Sequence, residues 1–173
     1  MIIAESKRLE LREFSKNDVN GFFELNNDPI VLKYTGDSPF SDKFEVMRFI
    51  DNYQHYDENG FGRWSVYLKE NDQYIGFCGL RKCHITEDVD IGFRIKRAFW
   101  GQGYASEAAD LCLRLGFKRF ALNDIVARAM EDNQASHALI KKLGMTFESC
   151  YQESGNKWLK YSINQQHYLK KCK

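Results

Sequence analysis

The sequence contains no run of about 18 consecutive apolar residues, and its first residues show no cleavage-site pattern. Only two of its 173 residues are proline, and no low-complexity linker or internal repeat interrupts it. Neither sign of charge dominates, because 25 basic residues face 24 acidic ones, which argues against broad electrostatic capture of nucleic acid or an acidic membrane. We therefore expect a soluble, cytoplasmic protein with one domain over residues 1–173.

The cysteines form no disulfide or metal-binding pattern. Five occur at scattered spacings, and an odd number is typical of reduced, mostly structural thiols. Cys78, Cys83 and His84 come nearest to a ligand set, but no second pair of ligands stands at zinc-finger spacing. We expect no bound metal.

The apolar periodicity predicts a mixture of strands and helices. Helices are predicted to begin at Ser15, at Ser41 (ending at Asn59-Gly60), at Tyr104 (ending near Phe120) and after Asn133. Strands are predicted over residues 6–12, 63–69, 74–80, 89–95, 125–130, 145–151 and 157–163. This order favours a mixed sheet.

A glycine-containing loop, residues 97–103, joins the predicted strand 89–95 to the predicted helix at Tyr104. The start of a helix presents unpaired N–H groups at the positive end of the helix dipole, which bind phosphate oxygens without a charged side chain. Gly101 and Gly103 permit a sharp turn and close approach of a pyrophosphate. A tight connection without a ligand is the alternative interpretation of this segment alone.

Two familiar phosphate-binding loops fit this segment poorly. No Gly-Lys-Ser or Gly-Lys-Thr follows, which excludes a P-loop. A dinucleotide fingerprint requires glycine or alanine where Ser106 stands, and an acid closing the next strand about 20 residues on. Asp124 precedes that strand, whereas Glu131 ends it too late in the sequence.

A second element, Asn133 with Ser136 followed by Gly144-Met145, comes after the predicted strand 125–130. Together with Phe-Trp-Gly-Gln-Gly-Tyr-Ala-Ser-Glu-Ala at residues 99–108, it resembles the acyl-CoA site of the GNAT superfamily of acetyltransferases. The resemblance is nearest to the branch that acetylates alanine or serine N-termini of ribosomal proteins. Residues 6–12, 27–29 and 34–36 resemble early segments of that family.

The resemblance implies a fold and a set of cofactor contacts. The fold is a single α/β (α+β) domain with a mixed, mostly antiparallel sheet, splayed central strands and flanking helices. Acetyl-CoA is the implied acyl donor. Two of its implied contacts have alternatives: ordinary β-ladder pairing for residues 93–95 and an N-cap role for Asn133. The implied cofactor-binding residues are Phe93, Arg94, Ile95, Gly101, Gln102, Gly103, Tyr104, Ala105, Ser106 and Asn133.

The resemblance also suggests catalytic residues. Many superfamily members protonate the leaving thiolate with a tyrosine where this chain has Ile140, and Ser136 is the candidate replacement. Glu153 in the last predicted hairpin is the candidate general base, with Glu148 and Glu87 as alternatives. Tyr34, Trp64 and Trp158 are candidates to line an acceptor pocket, and a place in the core is the alternative, because aromatic residues on strands are core residues more often than not.

The implied activity is transfer of an acetyl group from acetyl-CoA to a primary amine, with a protein N-terminus as the first candidate acceptor. A polyamine, an amino sugar or an aminoglycoside is an alternative acceptor. An acyl-CoA sensor without catalytic activity is a third interpretation, because the usual tyrosine is missing. We expect a monomer or homodimer that binds neither nucleic acid nor membrane.

Overall fold

The computed structural model describes residues 1–171, which form one eight-stranded sheet with the strand order β1-β2-β3-β4-β5-β6-β8-β7. The strands are β1 (Ile2–Glu5), β2 (Leu9–Arg12), β3 (Arg63–Leu68), β4 (Gln73–Lys82), β5 (Val89–Ile95), β6 (Asp124–Met130), β7 (Thr146–Glu153) and β8 (Asn156–Asn164). The α-helices are α1 (Val19–Leu25), α2 (Pro29–Leu32), α3 (Lys43–Asp51), α4 (His55–Asn59), α5 (Tyr104–Arg114), α6 (Gln134–Lys142) and α7 (Gln165–Lys171). Within this range no helix is long and apolar enough to cross a bilayer.

The sheet is antiparallel except at its centre, where β5 and β6 run parallel. Across residues 1–171 these two strands pair at one place only, Asp90 opposite Val126, and then diverge. On its other edge β5 pairs with β4 along its whole length, from Val89 to Ile95. The predicted mixed, mostly antiparallel sheet with splayed central strands is confirmed.

The two faces of the sheet are covered differently. On one face α5 packs against β2, β4 and β5 and buries its small and apolar residues Ala108, Ala109 and Cys112. The Sγ atoms of Cys112 and Cys78 lie 3.5 Å apart in this core, and burial raises the pKa of Cys112 well above its ordinary value. The other face carries α1 to α4 over a second, largely aromatic cluster that includes Phe22. Cys172 lies outside the described residues.

Two predicted helices have a different form in the structure. The single helix expected from Ser41 to Asn59 is wrong, because the chain turns after α3 and starts again at α4. This turn lets the hydroxyl of Tyr53 accept from Arg63 N, while Tyr56 donates to Arg63 O. The predicted helix to about Phe120 is present, but its last turn, Leu115–Arg119, widens to a π-helix.

The ends of the chain contain elements that the sequence analysis did not predict. β1 adds an edge strand, and the strand predicted over residues 6–12 begins only at Leu9, because Ser6 N donates to Leu9 O in the turn between β1 and β2. α7 follows β8 directly and places Tyr168 in the core beside Phe117, with ring centroids 4.9 Å apart. The hairpin of β7 and β8 agrees with its prediction.

Candidate active site

A large cavity of about 1730 Å³ opens where β5 and β6 diverge and continues beneath α1 to α4. We call the end of β5, residues 101–106 and the start of α6 the cofactor side. We call α1 to α4, the connection between β4 and β5, and the facing part of the β7–β8 hairpin the acceptor side. The predicted residues Phe93, Arg94, Ile95, Gly101, Gly103, Tyr104, Ala105, Asn133, Ser136 and Glu153 all line this cavity.

The direction of the β5 amides decides which of them face the cavity. Lys96 N donates to Ile75 O, and Cys83 N donates to Asp88 O at the opposite end of the same ladder. Amides alternate in direction along a strand, so the amide of Arg94 faces β4. The amides of Phe93 and Ile95 therefore point toward the gap that β6 has left.

The side chain of Arg94 extends to the acceptor side. Its guanidinium donates to Asn26 Oδ1 and, at 2.7 Å, to Asp37 Oδ2. It also lies over the ring of Phe77, 5.2 Å from the centroid. The side chain of Arg94 thus joins β5 to the segments around α1 and α2, whereas its neighbours Phe93 and Ile95 direct backbone amides to the gap.

The glycine loop has the backbone form that its composition predicts. Gly101 and Gly103 have φ of +73° and +81°, a region that favours glycine, and Gly103 is the N-cap of α5. A Cβ built on Gly101 meets no atom within 4 Å. The indole of Trp100 donates to Ile95 O at 2.7 Å and links the loop to β5. This arrangement leaves open space in front of the amides that begin α5.

Glu107 and Arg8, to which the sequence analysis gave no role, support this loop. One oxygen of Glu107 accepts from Arg8 N at 2.9 Å and from Ser6 Oγ at 2.7 Å. Its other oxygen accepts from Arg8 Nε at 2.7 Å, and the guanidinium also donates to Gln102 O. Burial alone would raise the pKa of Glu107, but these hydrogen bonds outweigh it and lower that pKa.

Two predicted cofactor residues lie beside the cavity. The side-chain amide of Gln102 donates to Ala98 O at 3.2 Å, and the backbone carbonyl of Gln102 accepts from Arg8. Ser106 borders a smaller cleft between the starts of α5 and the end of α6. Gln102 precedes α5 and Ser106 lies in its first turn, and neither of the two residues lines the cavity.

Asn133 and Ser136 are close to each other at the start of α6. Asn133 Oδ1 accepts from Ser136 N at 3.2 Å, so the asparagine does act as an N-cap. Ser136 is half-buried, and its Oγ has no hydrogen-bond partner among residues 1–171. The hydroxyl is therefore available to a group in the cavity.

His137 fixes the start of α6 against the sheet. Its Nε2 lies 2.9 Å from Met130 O and 3.0 Å from Glu131 O, and carbonyl oxygens only accept, so Nε2 carries the proton. Its Nδ1 then accepts from the hydroxyl of Tyr161 at 3.0 Å. The sequence analysis missed this residue, since a lone histidine on a helix gives no signal of its partners.

The three acidic candidates for a general base have different surroundings. Glu153 is exposed at the end of β7 and lines the cavity near Tyr151, whose pKa is raised by burial. Glu148 pairs with Lys160 at 3.1 Å, and Glu87 pairs with Lys82 in the connection between β4 and β5. Of the three, Glu153 alone borders the cavity in the described part of the chain.

Aromatic side chains cover much of the acceptor side. Tyr34 and Trp158 line the cavity as predicted. Trp64 does not line the cavity and takes the alternative, a core position: it is 1% exposed, faces the α5 side of β3 and stacks on Phe120 with centroids 6.2 Å apart. Residues that the sequence analysis did not consider, Phe49 among them, complete the lining.

The floor of the cavity on the acceptor side is a network of charged residues. Asp90 is buried, and its carboxylate accepts from Arg63 at 2.7 Å while lying 3.5 Å from Arg128 and 3.6 Å from Arg81. Burial alone would raise the pKa of Asp88, but Lys160 and Arg128 lower it. Asp90 at the floor and the neighbouring Asp88 are thus both already paired with cations of the chain.

Residues 8–146 match the family model described as the acetyltransferase (GNAT) domain. The uncharacterized N-acetyltransferase YnaD of Bacillus subtilis is 30% identical over an alignment of 156 positions, gaps included, that covers 88% of this chain and 89% of that protein. The FsC-acetyl coenzyme A-N(2)-transacetylase of Aspergillus fumigatus is 28% identical over an alignment of 184 positions, gaps included, that covers 94% of this chain and 76% of that protein.

Solved structures agree in fold. A GNAT acetyltransferase from Bacillus anthracis superimposes with a TM-score of 0.82 at 25% identity, covering 96% of this chain and 99% of that one. Spermidine N-acetyltransferase from Vibrio cholerae, solved with CoA and spermine, gives a TM-score of 0.81 at 20% identity and covers 95% and 99%. The second likeness concerns the fold alone. The match over residues 8–146, with the relatives of similar length, shows that this chain belongs to the GNAT acetyltransferases, enzymes that depend on acetyl-CoA.

Proposed function

We propose that this acetyltransferase transfers the acetyl group of acetyl-CoA to the N-terminal amine of a protein or peptide. The observation that carries the proposal is that one cavity is lined by the diverging end of β5, the glycine loop, Ser136 and Glu153. Acetyl-CoA supplies the thioester. The amides of Phe93 and Ile95 bind its extended arm and polarise the carbonyl, while the amides from Gly101 to Ser106 bind the diphosphate.

The charges on the acceptor side favour an amine with apolar neighbours over a polycation. Asp37 is paired with Arg94, and Asp90 is surrounded by arginines, so neither carboxylate is free to face a polycation. A polyamine with several positive charges needs acids that are free to face it. A peptide N-terminus carries one amine, and the aromatic lining suits an uncharged first side chain.

Ser136 is proposed to hold the sulfur of the cofactor and to protonate the leaving thiolate. Ser136→Ala is expected to lower kcat by about 100-fold and to leave the affinity for CoA within about twofold. The start of α6 persists in this variant, because Asn133 accepts from the backbone amide of Ser136. Ser149→Ala, on exposed β7, is the matched control with unchanged kcat. Equal kcat in both variants would remove Ser136 from the mechanism.

Glu153 is proposed as the general base. An N-terminal amine has an ordinary pKa near 8, so a carboxylate acting directly or through water is sufficient to take its proton. Glu153→Gln is expected to shift the rising limb of the pH–rate profile to higher pH, because only amine that is already deprotonated then reacts. The comparison variant Glu148→Gln keeps the wild-type profile. A wild-type profile in Glu153→Gln would assign the base elsewhere.

The acceptor is tested with a panel of amines in the presence of acetyl-CoA, using release of free thiol and the mass of the product. The panel contains peptides with free alanine or serine N-termini, the same peptides with blocked N-termini and an internal lysine, spermidine, an amino sugar and an aminoglycoside. We expect acetylation of the free N-termini only. Faster turnover of spermidine or of a sugar would replace the proposed acceptor and leave the acetyltransferase activity in place.

A further inference from the structure

Two histidines and a glutamate lie together at the rim of the acceptor side. His55 and Glu58 are one turn apart on α4, and His84 belongs to the connection between β4 and β5. One ligand atom from each side chain lies within 4.8 Å of the other two. Residues 29 positions apart in the sequence are thus brought together by the packing of α4 against β4.

The spacing is close to that of a coordination sphere. His84 Nε2 lies 3.6 Å from Glu58 Oε2. Two donors bound to one zinc ion at about 2.1 Å with tetrahedral angles are about 3.4 Å apart. The three groups therefore need only small side-chain rotations to share one cation.

His55 provides an independent observation. Its Nδ1 is buried and has no hydrogen-bond partner within residues 1–171, whereas buried polar atoms in proteins are nearly always paired. Its ring is held by Tyr53, with centroids 5.0 Å apart, and lies nearly parallel to the ring of His84, with centroids 6.4 Å apart. The fold thus orients this imidazole without using its hydrogen-bonding capacity.

We propose that His55, Glu58 and His84 bind one divalent transition-metal cation of the zinc type. Two imidazoles and one carboxylate suit zinc and its neighbours, whereas magnesium and calcium prefer oxygen ligands alone. Arg81 opposes the cation electrostatically, but its guanidinium is directed to Asp90 at 3.6 Å, and the carboxylate of Glu58 supplies a compensating charge. Three protein ligands leave a fourth position for water or a ligand in the cavity.

The site is separate from the proposed chemistry and does not depend on it. His55, Glu58 and His84 border the acceptor end of the cavity, whereas Ser136 borders the cofactor end. A bound cation would join α4 to the connection between β4 and β5, two segments that otherwise meet here through the exposed pair of His84 and Glu58. Because the cation binds the folded chain, it is expected to stabilise that chain by an amount that grows with the logarithm of the free cation concentration above Kd.

The test is calorimetric titration of the full chain, cleared with a chelator, with zinc chloride. We expect one zinc ion per chain and no binding of magnesium. His84→Ala and Glu58→Gln are each expected to weaken zinc binding by at least about tenfold. His167→Ala is the matched control, because His167 is exposed on α7, away from the site. Wild-type chain that takes up no zinc, or equal affinity in His84→Ala and His167→Ala, would overturn the proposal.

Cys83 needs its own control because it adjoins His84 and is a potential zinc ligand. Cys83→Ser is expected to keep the wild-type zinc affinity, and a loss equal to that in His84→Ala would overturn the proposed ligand set. Folding is checked by the melting temperature without metal, which His84→Ala should retain because the residue is exposed. Zinc should then raise the melting temperature of the wild-type chain and not that of His84→Ala; an equal rise in both would also count against the site.

Discussion

The cofactor side and the acceptor side of the cavity are built from different kinds of atoms. The cofactor side presents backbone amides at the end of β5 and at the start of α5, and side chains such as Glu107 hold that backbone in place. The acceptor side presents side chains from several short helices, with an aromatic surface and paired charges. The cofactor side should therefore tolerate many changes of side chain but few changes of backbone. The acceptor side should tolerate changes of backbone better than changes of side chain.

The largest expected effect comes from comparing Gly101, which lines the cofactor side, with Gly60, which ends α4 and does not line the cavity. Gly101 and Gly60 have φ of +73° and +74°, and a Cβ on either meets no atom within 4 Å. Alanine at each position should therefore destabilise the chain equally, by about 1–2 kcal/mol. CoA affinity should fall by at least about tenfold in Gly101→Ala alone, measured by calorimetry. Equal CoA affinity in the two variants would contradict the proposed diphosphate site.

Arg94→Met removes a side chain that extends to the acceptor side and leaves the backbone of β5 unchanged, so it tests the two contributions separately. The substitution leaves the buried Asn26 without its donor, so the free energy of unfolding should fall by about 1–3 kcal/mol. The acceptor KM should rise about fivefold as the segments around α1 and α2 loosen, while CoA affinity stays within about twofold. Steady-state kinetics and CoA titration measure both. A loss of CoA affinity without a change in acceptor KM would reverse this assignment.

Glu107→Gln tests the support of the loop. The variant loses the charge that accepts from Ser6 and Arg8, so we expect about 1–2 kcal/mol less stability and about threefold weaker CoA binding. Glu131→Gln, which breaks an exposed pair with Lys157, should stay within about 0.5 kcal/mol of wild type. A Glu107→Gln variant as stable as Glu131→Gln would show that the contacts to Glu107 do not hold the loop.

The smallest effect is the pH dependence of the same substitution. The pKa of Glu107 is lowered in the folded chain, so its contribution to stability is complete above the ordinary value of 4.5 and is lost as pH falls through the lower folded value. The difference in unfolding free energy between wild type and Glu107→Gln should therefore shrink as pH falls below that value. Denaturant titrations at several pH values measure it. A constant difference would contradict the lowered pKa.

The sequence predicts the cofactor side better than the acceptor side for a physical reason. Gly101 and Gly103 are required by positive φ, and Asn133 by an unpaired helix start, so local rules identify all three. Glu107 was missed because its partners, Ser6 and Arg8, are about 100 positions away. Local patterns carry no information on such pairs.

On the acceptor side, periodicity shows that a residue is apolar without showing which face of the sheet it covers. The sequence therefore left open whether Trp64 lines the pocket or the core, and the structure places it in the core on the α5 side of β3. The break between α3 and α4 comes with hydrogen bonds between the backbone of Arg63 and the hydroxyls of Tyr53, which accepts, and Tyr56, which donates; no pattern within residues 41–59 reveals them. The cluster of His55, Glu58 and His84 was missed for the same reason, although the spacing of the first two on one helix was visible.

The single pairing of Asp90 with Val126 divides the sheet into a five-stranded part and a three-stranded part. An extended molecule lying along the open edge of β5 would bind its unpaired amides and fill the gap between the two parts, much as an added strand completes a sheet. A molecule bound there would hold the two parts of the sheet together, and amide hydrogens in β6 and β8 would exchange more slowly with solvent. Binding of the acyl donor would therefore itself make the sheet more rigid.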